Sequence, residues 1–329
     1  MRALMAVVLT LAALWGGYWF VGSRALERGA EAWFAGAAAQ GFVAERESLS
    51  VQGFPSRFDL TVNGLRLADP STGFGWQTPF VQVFSLSYKP WHVIAALPNT
   101  HIVTTPFEDI TLASAKLQGS FIVKPLPALP LDRIAVVGED MRGNSSLGWQ
   151  IGAQTVRFAT RLTDNDGLAH EIGFEATNIA PDPVLLAALA GADLPTLVDM
   201  FRLDAVATFS APLDRFFAAS HPRVTGLDVR ESVIRWGDLS LIAKGRLIAD
   251  AGGLAEGRID FRIKNWRKAL AIAVAAGSIT PEVAPTYENG LTLLAAASTD
   301  PETLELPLIF ANGRMSLGPL PLGPAPRLN

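Results

Sequence analysis

LSLIAKGRLIADAGGLAEGRIDFRIK, residues 239–264, alternates on either side of a single break. Leu239, Leu241, Ala243, Gly245, Leu247 and Ala249 share one side of the first arm, and Ser240, Lys244, Arg246 and Asp250 share the other. A period of two sends successive side chains to opposite faces of a strand, so this arm is expected to be a half-buried strand. Asp250-Ala-Gly-Gly253 supplies turn chemistry, because glycine reaches positive φ without a Cβ clash. Beyond a break at Gly257 the pattern resumes as Ile259, Phe261 and Ile263 against Arg258, Asp260, Arg262 and Lys264. The stretch reads as a hairpin with one apolar face and one wet face. None of its residues has a catalytic look.

Composition carries that reading across the chain. Charged residues make up 18%, below the usual quarter, while hydrophobic residues reach 49%. With 29 glycines and 22 prolines, the apolar content is cut into pieces that suit strands and turns better than long helices. A length of 329 residues can bury one large core or two. The net charge of −4 gives no basic field for nucleic acid. Cysteine is absent, which excludes disulfides, thiolate catalysis and cysteine metal sites, and leaves the redox compartment open.

The exception to the short pieces is the uncharged run of residues 3–23, between Arg2 and Arg24. As a helix it spans roughly 30 Å, the thickness of a bilayer core. Trp15, Tyr18 and Trp19 stand near its far end, where amphipathic rings favour the membrane interface. A cleaved signal peptide is the competing reading, but Ser23-Arg24-Ala25 is a poor cleavage site and the run exceeds a typical signal core. An uncleaved anchor is expected, with the body exported. Leu26, Ala30, Trp33, Phe34 and Ala37 continue a helical stripe that Gly41 ends.

From Phe42 the period is two. Asn63-Gly64 is a hairpin signal, although the parity shift at Leu65 and Leu67 fits a bulge as well. Residues 81–87, 110–123, 150–161, 172–176, 203–209 and 304–317 continue the strand series, and prolines across residues 124–130 make that segment a connector. Asp182-Pro183 is expected to open a helix over residues 184–190, and Pro195 a second short one. Asn265 is expected to cap a helix over residues 266–276, and Thr280-Pro281 to start one over residues 283–297. The expected organisation is an anchor (1–24), an amphipathic helical extension (25–41), an N-terminal β half (42–123), a Pro-rich connector (124–130), a C-terminal β half with helices (131–317) and a Pro-rich tail (318–329).

Signs of chemistry are sparse. His92, His101, His170 and His221 have no second ligand at helical spacing, so no metal or other cofactor is expected. Asp164, Asn165 and Asp166 resemble the start of a calcium loop but lack the closing glutamate, and read as a turn. No nucleophile-elbow or phosphate-loop motif is present. The tryptophans at 76, 91, 149, 236 and 266 read as core or interface rings rather than a stacking set.

Three stretches carry a resemblance. Gly53-Phe-Pro55-x-Arg57-Phe-Asp-Leu60, the run from Trp236-Gly-Asp-Leu-Ser-Leu241 through Gly245 and Asp250 to Gly257, and Leu317-Gly-Pro-Leu-Pro-Leu322 resemble the uncharacterised bacterial family called domain of unknown function 2125. That resemblance implies a fold and a location rather than a reaction. The hairpin unit is more loosely similar to repeats of AsmA-like envelope proteins, which implies a long β-sheet around a lipid-carrying groove. The fold expected is mainly β with some α: an extended curved antiparallel sheet, a few covering helices and an N-terminal transmembrane helix. The function expected is non-enzymatic, a protein anchored in the bacterial inner membrane with its body in the periplasm, binding or handling a hydrophobic ligand such as lipid. Leu239, Leu241, Leu247, Ile259, Phe261 and Ile263 are the expected lining of an apolar groove. The alternative is an envelope structural or assembly factor acting through contacts with other envelope proteins.

Overall fold

The computed structural model describes residues 1–163, 166–296, 300–317 and 320–328. Asp164 and Asn165 of the calcium-loop-like run lie outside the described residues, as do Ala297 of the last expected helix and Gly318 and Pro319 of the C-terminal motif. The chain is mainly β, with large-scale antiparallel pairing and few helices. It divides into two units: residues 1–125 with 136–148, and residues 126–135 with 149–329.

The first unit begins with one continuous helix, α1 (Arg2–Ala39), which covers both the expected anchor and its extension. Gly41, at φ +90°, follows its end. Next come β1 (Val43–Glu45), β2 (Ser48–Gln52), β3 (Arg57–Asp69), β4 (Phe74–Leu86), β5 (Lys89–Leu97), β6 (Thr100–Thr104), β7 (Asp109–Ala113) and β8 (Lys116–Val123), then β9 (Leu131–Ser145), whose later residues belong to this unit. The long strand β3 takes β1 and β2 along one edge and β4 along the other. Asn63-Gly64 forms neither the hairpin nor the register-shifting bulge expected of it. β3 runs through this site with its pairing to β4 in one register, Asn63 opposite Phe80 and Leu65 opposite Thr78. Gly64, at φ +58°, falls opposite Pro79, which has no N–H to give the ladder. This local kink moves the buried positions from Val62 to Leu65, the parity shift visible in the sequence. Val62 and Leu65 form a core cluster with Phe34 of α1.

The second unit is a meander in which each strand pairs with the next: β10 (Gln150–Leu162), β11 (Ala169–Ala180), β12 (Val198–Phe209), β13 (Val224–Trp236), β14 (Leu239–Ala249), β15 (Ala255–Lys264), β16 (Thr303–Ala311), β17 (Arg314–Leu317) and β18 (Leu320–Pro324). The hairpin of residues 239–264 is therefore β14 and β15, with Gly253 at φ +81° in its turn. Among the described residues four helices interrupt the meander: α2 (Pro183–Ala188), α3 (Phe217–Ser220), α4 (Trp266–Ala275) and α5 (Ala284–Ala295). Asp182 caps α2 as expected, its carboxylate accepting from Val184 N at 2.7 Å. The helix expected at Pro195 does not form. Residues 195–197 lead directly into β12, and the Pro195 carbonyl instead accepts the Trp236 indole N–H at 2.7 Å. Asn265 precedes α4 but does not cap it through its side chain. It adopts φ 55°, and its amide donates to the Asp238 carbonyl at 2.9 Å.

Candidate functional site

The six residues expected to line a groove share one face of the β14–β15 pair, where the register sets Leu241 against Ile263 and Gly245 against Ile259. Leu239, Leu247 and Ile259 are 4%, 8% and 7% exposed, while Leu241, Phe261 and Ile263 are half-buried. The face is covered from two ends. Near Leu239 and Ile263 lie side chains of α2 and α4, with Leu189 and Trp236. Around Leu247 and Ile259 the C-terminal residues Ala325 and Leu328 complete a cluster with Phe310. Phe261 also borders a concavity of about 610 Å³, but its other walls are largely charged: Lys244, Arg258, Asp260, Arg262 and Glu305.

A more apolar hollow lies in the first unit, between the last turns of α1 and the ends of β1, β3 and β4. Its volume is about 700 Å³, within the range of ligand pockets. Trp33, Gly36, Ala37 and Gln40 form the helix wall, spaced at i, i+3, i+4 and i+7 so that they share a face. The opposite wall is set by sheet register, which pairs Ala44 with Leu67, Leu67 with Trp76, and Asp69 with Phe74. Gly36 has no atom within 4 Å of where a Cβ would stand, so the small residues of the helix keep the hollow open. Trp33, Phe42 and Phe74 remain exposed at its edge.

The polar groups here are few. Asp69 accepts hydrogen bonds from the Ser71 hydroxyl at 2.6 Å and the Ser71 amide at 2.9 Å. These hold its carboxyl below the ordinary carboxylate range. Trp76 packs edge-on against His101, whose imidazole pKa burial pushes below its ordinary value. The lining of the hollow is mostly apolar, with Asp69 and Gln40 as its polar side chains. The sequence reading missed it because its walls lie some thirty residues apart and neither has a motif; the lone signal was Trp33 on the helical stripe. Among the described residues no group of three His, Asp or Glu is gathered for a metal. The five tryptophans singled out in the sequence do not form one set. Trp236 and Trp266 belong to separate core clusters of the second unit, and Trp76 lines the hollow of the first.

The helix before the hollow is docked rather than free. Trp15 Nε1 donates to the Pro55 carbonyl at 2.9 Å, Tyr18 Oη to the Ser87 carbonyl at 2.6 Å and Trp19 Nε1 to the Arg57 carbonyl at 2.6 Å. α1 is long and apolar enough to cross a membrane. No curated protein and no solved structure matches the chain. A family model does match, over residues 19–326, from the docked Trp19 to the C-terminal cluster, and the chain belongs to that family, described as an uncharacterized protein conserved in bacteria (DUF2125).

Proposed function

We propose that this is an inner-membrane-anchored protein whose body lies in the periplasm and which binds a hydrophobic ligand, an acyl chain or lipid, in the hollow between α1 and the ends of β1, β3 and β4. The observation that carries the reading is the apolar hollow of about 700 Å³, edged by exposed Trp33, Phe42 and Phe74. Burying an exposed group the size of Leu or Phe is worth roughly 1.5–3 kcal/mol, so exposed rings around an apolar hollow favour an apolar guest. Anchoring is supported by the same helix. A cleaved signal peptide would take Trp15, Tyr18 and Trp19 away from the carbonyls they bind.

The test is uptake of a fluorescent fatty acid by the full-length protein in detergent. Gly36→Trp fills the hollow, whereas Gly29→Trp places the same ring at a helix position that is equally free of neighbours but does not line it. Gly36→Trp should weaken uptake by roughly tenfold or more, about 1.4 kcal/mol, and Gly29→Trp should leave it unchanged. Uptake lost in Leu241→Asp or Phe261→Asp but kept in Gly36→Trp would move the ligand to the β14–β15 face. The packing of Leu239, Leu247 and Ile259 favours a second reading of the meander as an envelope assembly scaffold. No uptake by the parent protein would leave that reading in place.

A further inference from the structure

We propose that loop 53–57 and turn 86–89 form a tip of the first unit that sits inside the bilayer leaflet from which α1 emerges. The inference rests on α1 being a membrane span and adds to it a second, loop-built membrane contact. The length of free helix makes the argument. The uncharged run of α1 is bounded by the charge of Arg2, and the helix first meets the body at Trp15. Thirteen residues advance about 20 Å, some 10 Å short of a hydrocarbon core about 30 Å thick. The missing depth is supplied by the next two turns, up to about Val21, and the helix stays uncharged until Arg24.

The body already stands beside those two turns. Phe54 packs on Trp19 and Phe20, with ring centroids 5.4 and 5.6 Å away. Gly22 abuts Phe58 so closely that a Cβ there would lie 2.6 Å from the ring. A bilayer thick enough for the helix therefore reaches the loops that touch it. Their outward faces suit that solvent: Phe54 is 56% exposed and Tyr88 59%, with Leu86 exposed beside them.

Backbone polarity is met in the way hydrocarbon demands, by partners inside the protein. Pro55, Arg57 and Ser87 each offer a carbonyl, and each is taken by a ring donor of α1. Within the tip, Arg57 N donates to the Gly53 carbonyl and Ser87 N to the Ser56 carbonyl, both at 2.9 Å. Arg24 and Arg28 on the helix, with Lys89 at the base of turn 86–89, provide cations that can extend to lipid phosphates, while Arg57 is paired with Asp59.

The chain has no cysteine, so single labels can be placed without removing any. Phe54→Cys, Leu86→Cys and Tyr88→Cys would carry an environment-sensitive fluorophore in the full-length protein, reconstituted in vesicles of phosphatidylethanolamine and phosphatidylglycerol. Leu9→Cys reports the span. Phe107→Cys, 84% exposed, reports water. It lies in the turn between β6 and β7, whose Pro106 abuts Gly73, at the opposite end of β4 from Leu86.

Labels at 54, 86 and 88 should be quenched by iodide roughly fivefold less than the label at 107, and should be quenched by lipids spin-labelled on the acyl chain, as an interfacially buried segment is. Chain-borne quenching separates immersion in lipid from burial against protein. A label at 9 in lipid with labels at 54 and 88 as open to iodide as 107 overturns the tip and leaves the span. A label at 9 open to iodide overturns both.

Discussion

Gly245 and Gly257 sit where the β14 and β15 backbones approach most closely. A Cβ on Gly245 would stand 2.1 Å from the Arg258 carbonyl oxygen, and one on Gly257 2.2 Å from the Arg246 carbonyl oxygen. Their φ angles, 156° and 137°, are ones that L side chains rarely adopt. Gly257→Ala should therefore cost on the order of 2–4 kcal/mol, through strain and forced backbone separation. Gly253→Ala places a side chain at a buried turn position with φ +81° and should cost about 1 kcal/mol or more, while Gly252→Ala should be close to neutral. Thermal unfolding of the four proteins in detergent checks the order. A Gly252→Ala variant as weak as Gly257→Ala would mean that the turn, not the strand contact, governs the hairpin. The turn and the break at Gly257 were legible in the sequence, because turn residues and alternation are local. The reason for the break was not, since what faces a glycine across a ladder depends on register.

Between strands, the wet face is organised as cross-strand ion pairs. Glu171 on β11 accepts from Arg161 on β10 at 3.1 Å and from Arg230 on β13 at 3.0 Å. Glu231 on β13 is held by Lys244 on β14 at 3.1 Å and by Arg202 on β12. Hydrogen bonds from these cations keep both carboxyls below their ordinary range. A depressed folded-state pKa adds stability that is full above the unfolded value, about 4.3 for glutamate, and is lost as pH falls from there through the folded value. Unfolding temperature should thus drop on acidification below about pH 4, and Glu171→Gln with Glu231→Gln should flatten that limb while changing little at pH 7. An acid limb of undiminished steepness in the double variant would assign it to other carboxyls. The helices are held differently. Trp266 of α4 is buried with Leu291 and Ala295 of α5 and Leu304 and Leu306 of β16. Trp266→Ala should cost about 3–5 kcal/mol by urea titration, against under 1 kcal/mol for an exposed site such as Leu293→Ala. The strands that were expected showed a buried face in their own residues, whereas β5, β6, β9 and β13 were not expected. The element misread at Pro195 was settled from outside, by an indole forty-one positions away that binds the proline carbonyl.

At the scale of the chain, α1 joins features that composition alone kept apart: a length and apolarity sufficient for a span, a docking strut and one wall of the hollow. Their position at the end of an uncharged run was reason to expect Trp15, Tyr18 and Trp19 at the membrane interface, but nothing local brings them to the carbonyls of the first sheet. Nor could it show the hollow, whose helix wall at residues 33–40 and strand wall at residues 67–76 meet only after β1, β2 and β3 have paired. This shared use of the helix supports the proposed anchor over a leader. A leader is released because nothing in the mature protein depends on it, whereas Trp19 stacks on Phe58 with centroids 6.2 Å apart, and Phe58 in turn abuts Gly22. Mass spectrometry of protein extracted from membranes should therefore find residues 1–24 still attached, and alkaline washing should not release it. Trp19→Ala should lower stability by about 3–5 kcal/mol in the intact chain, the range for a buried tryptophan lost from a core. A mature mass beginning near Ala25, with Trp19→Ala as stable as the parent, would show that the docked helix is a leader after all. The hollow would then have to keep its helix wall from residues 25–39 alone.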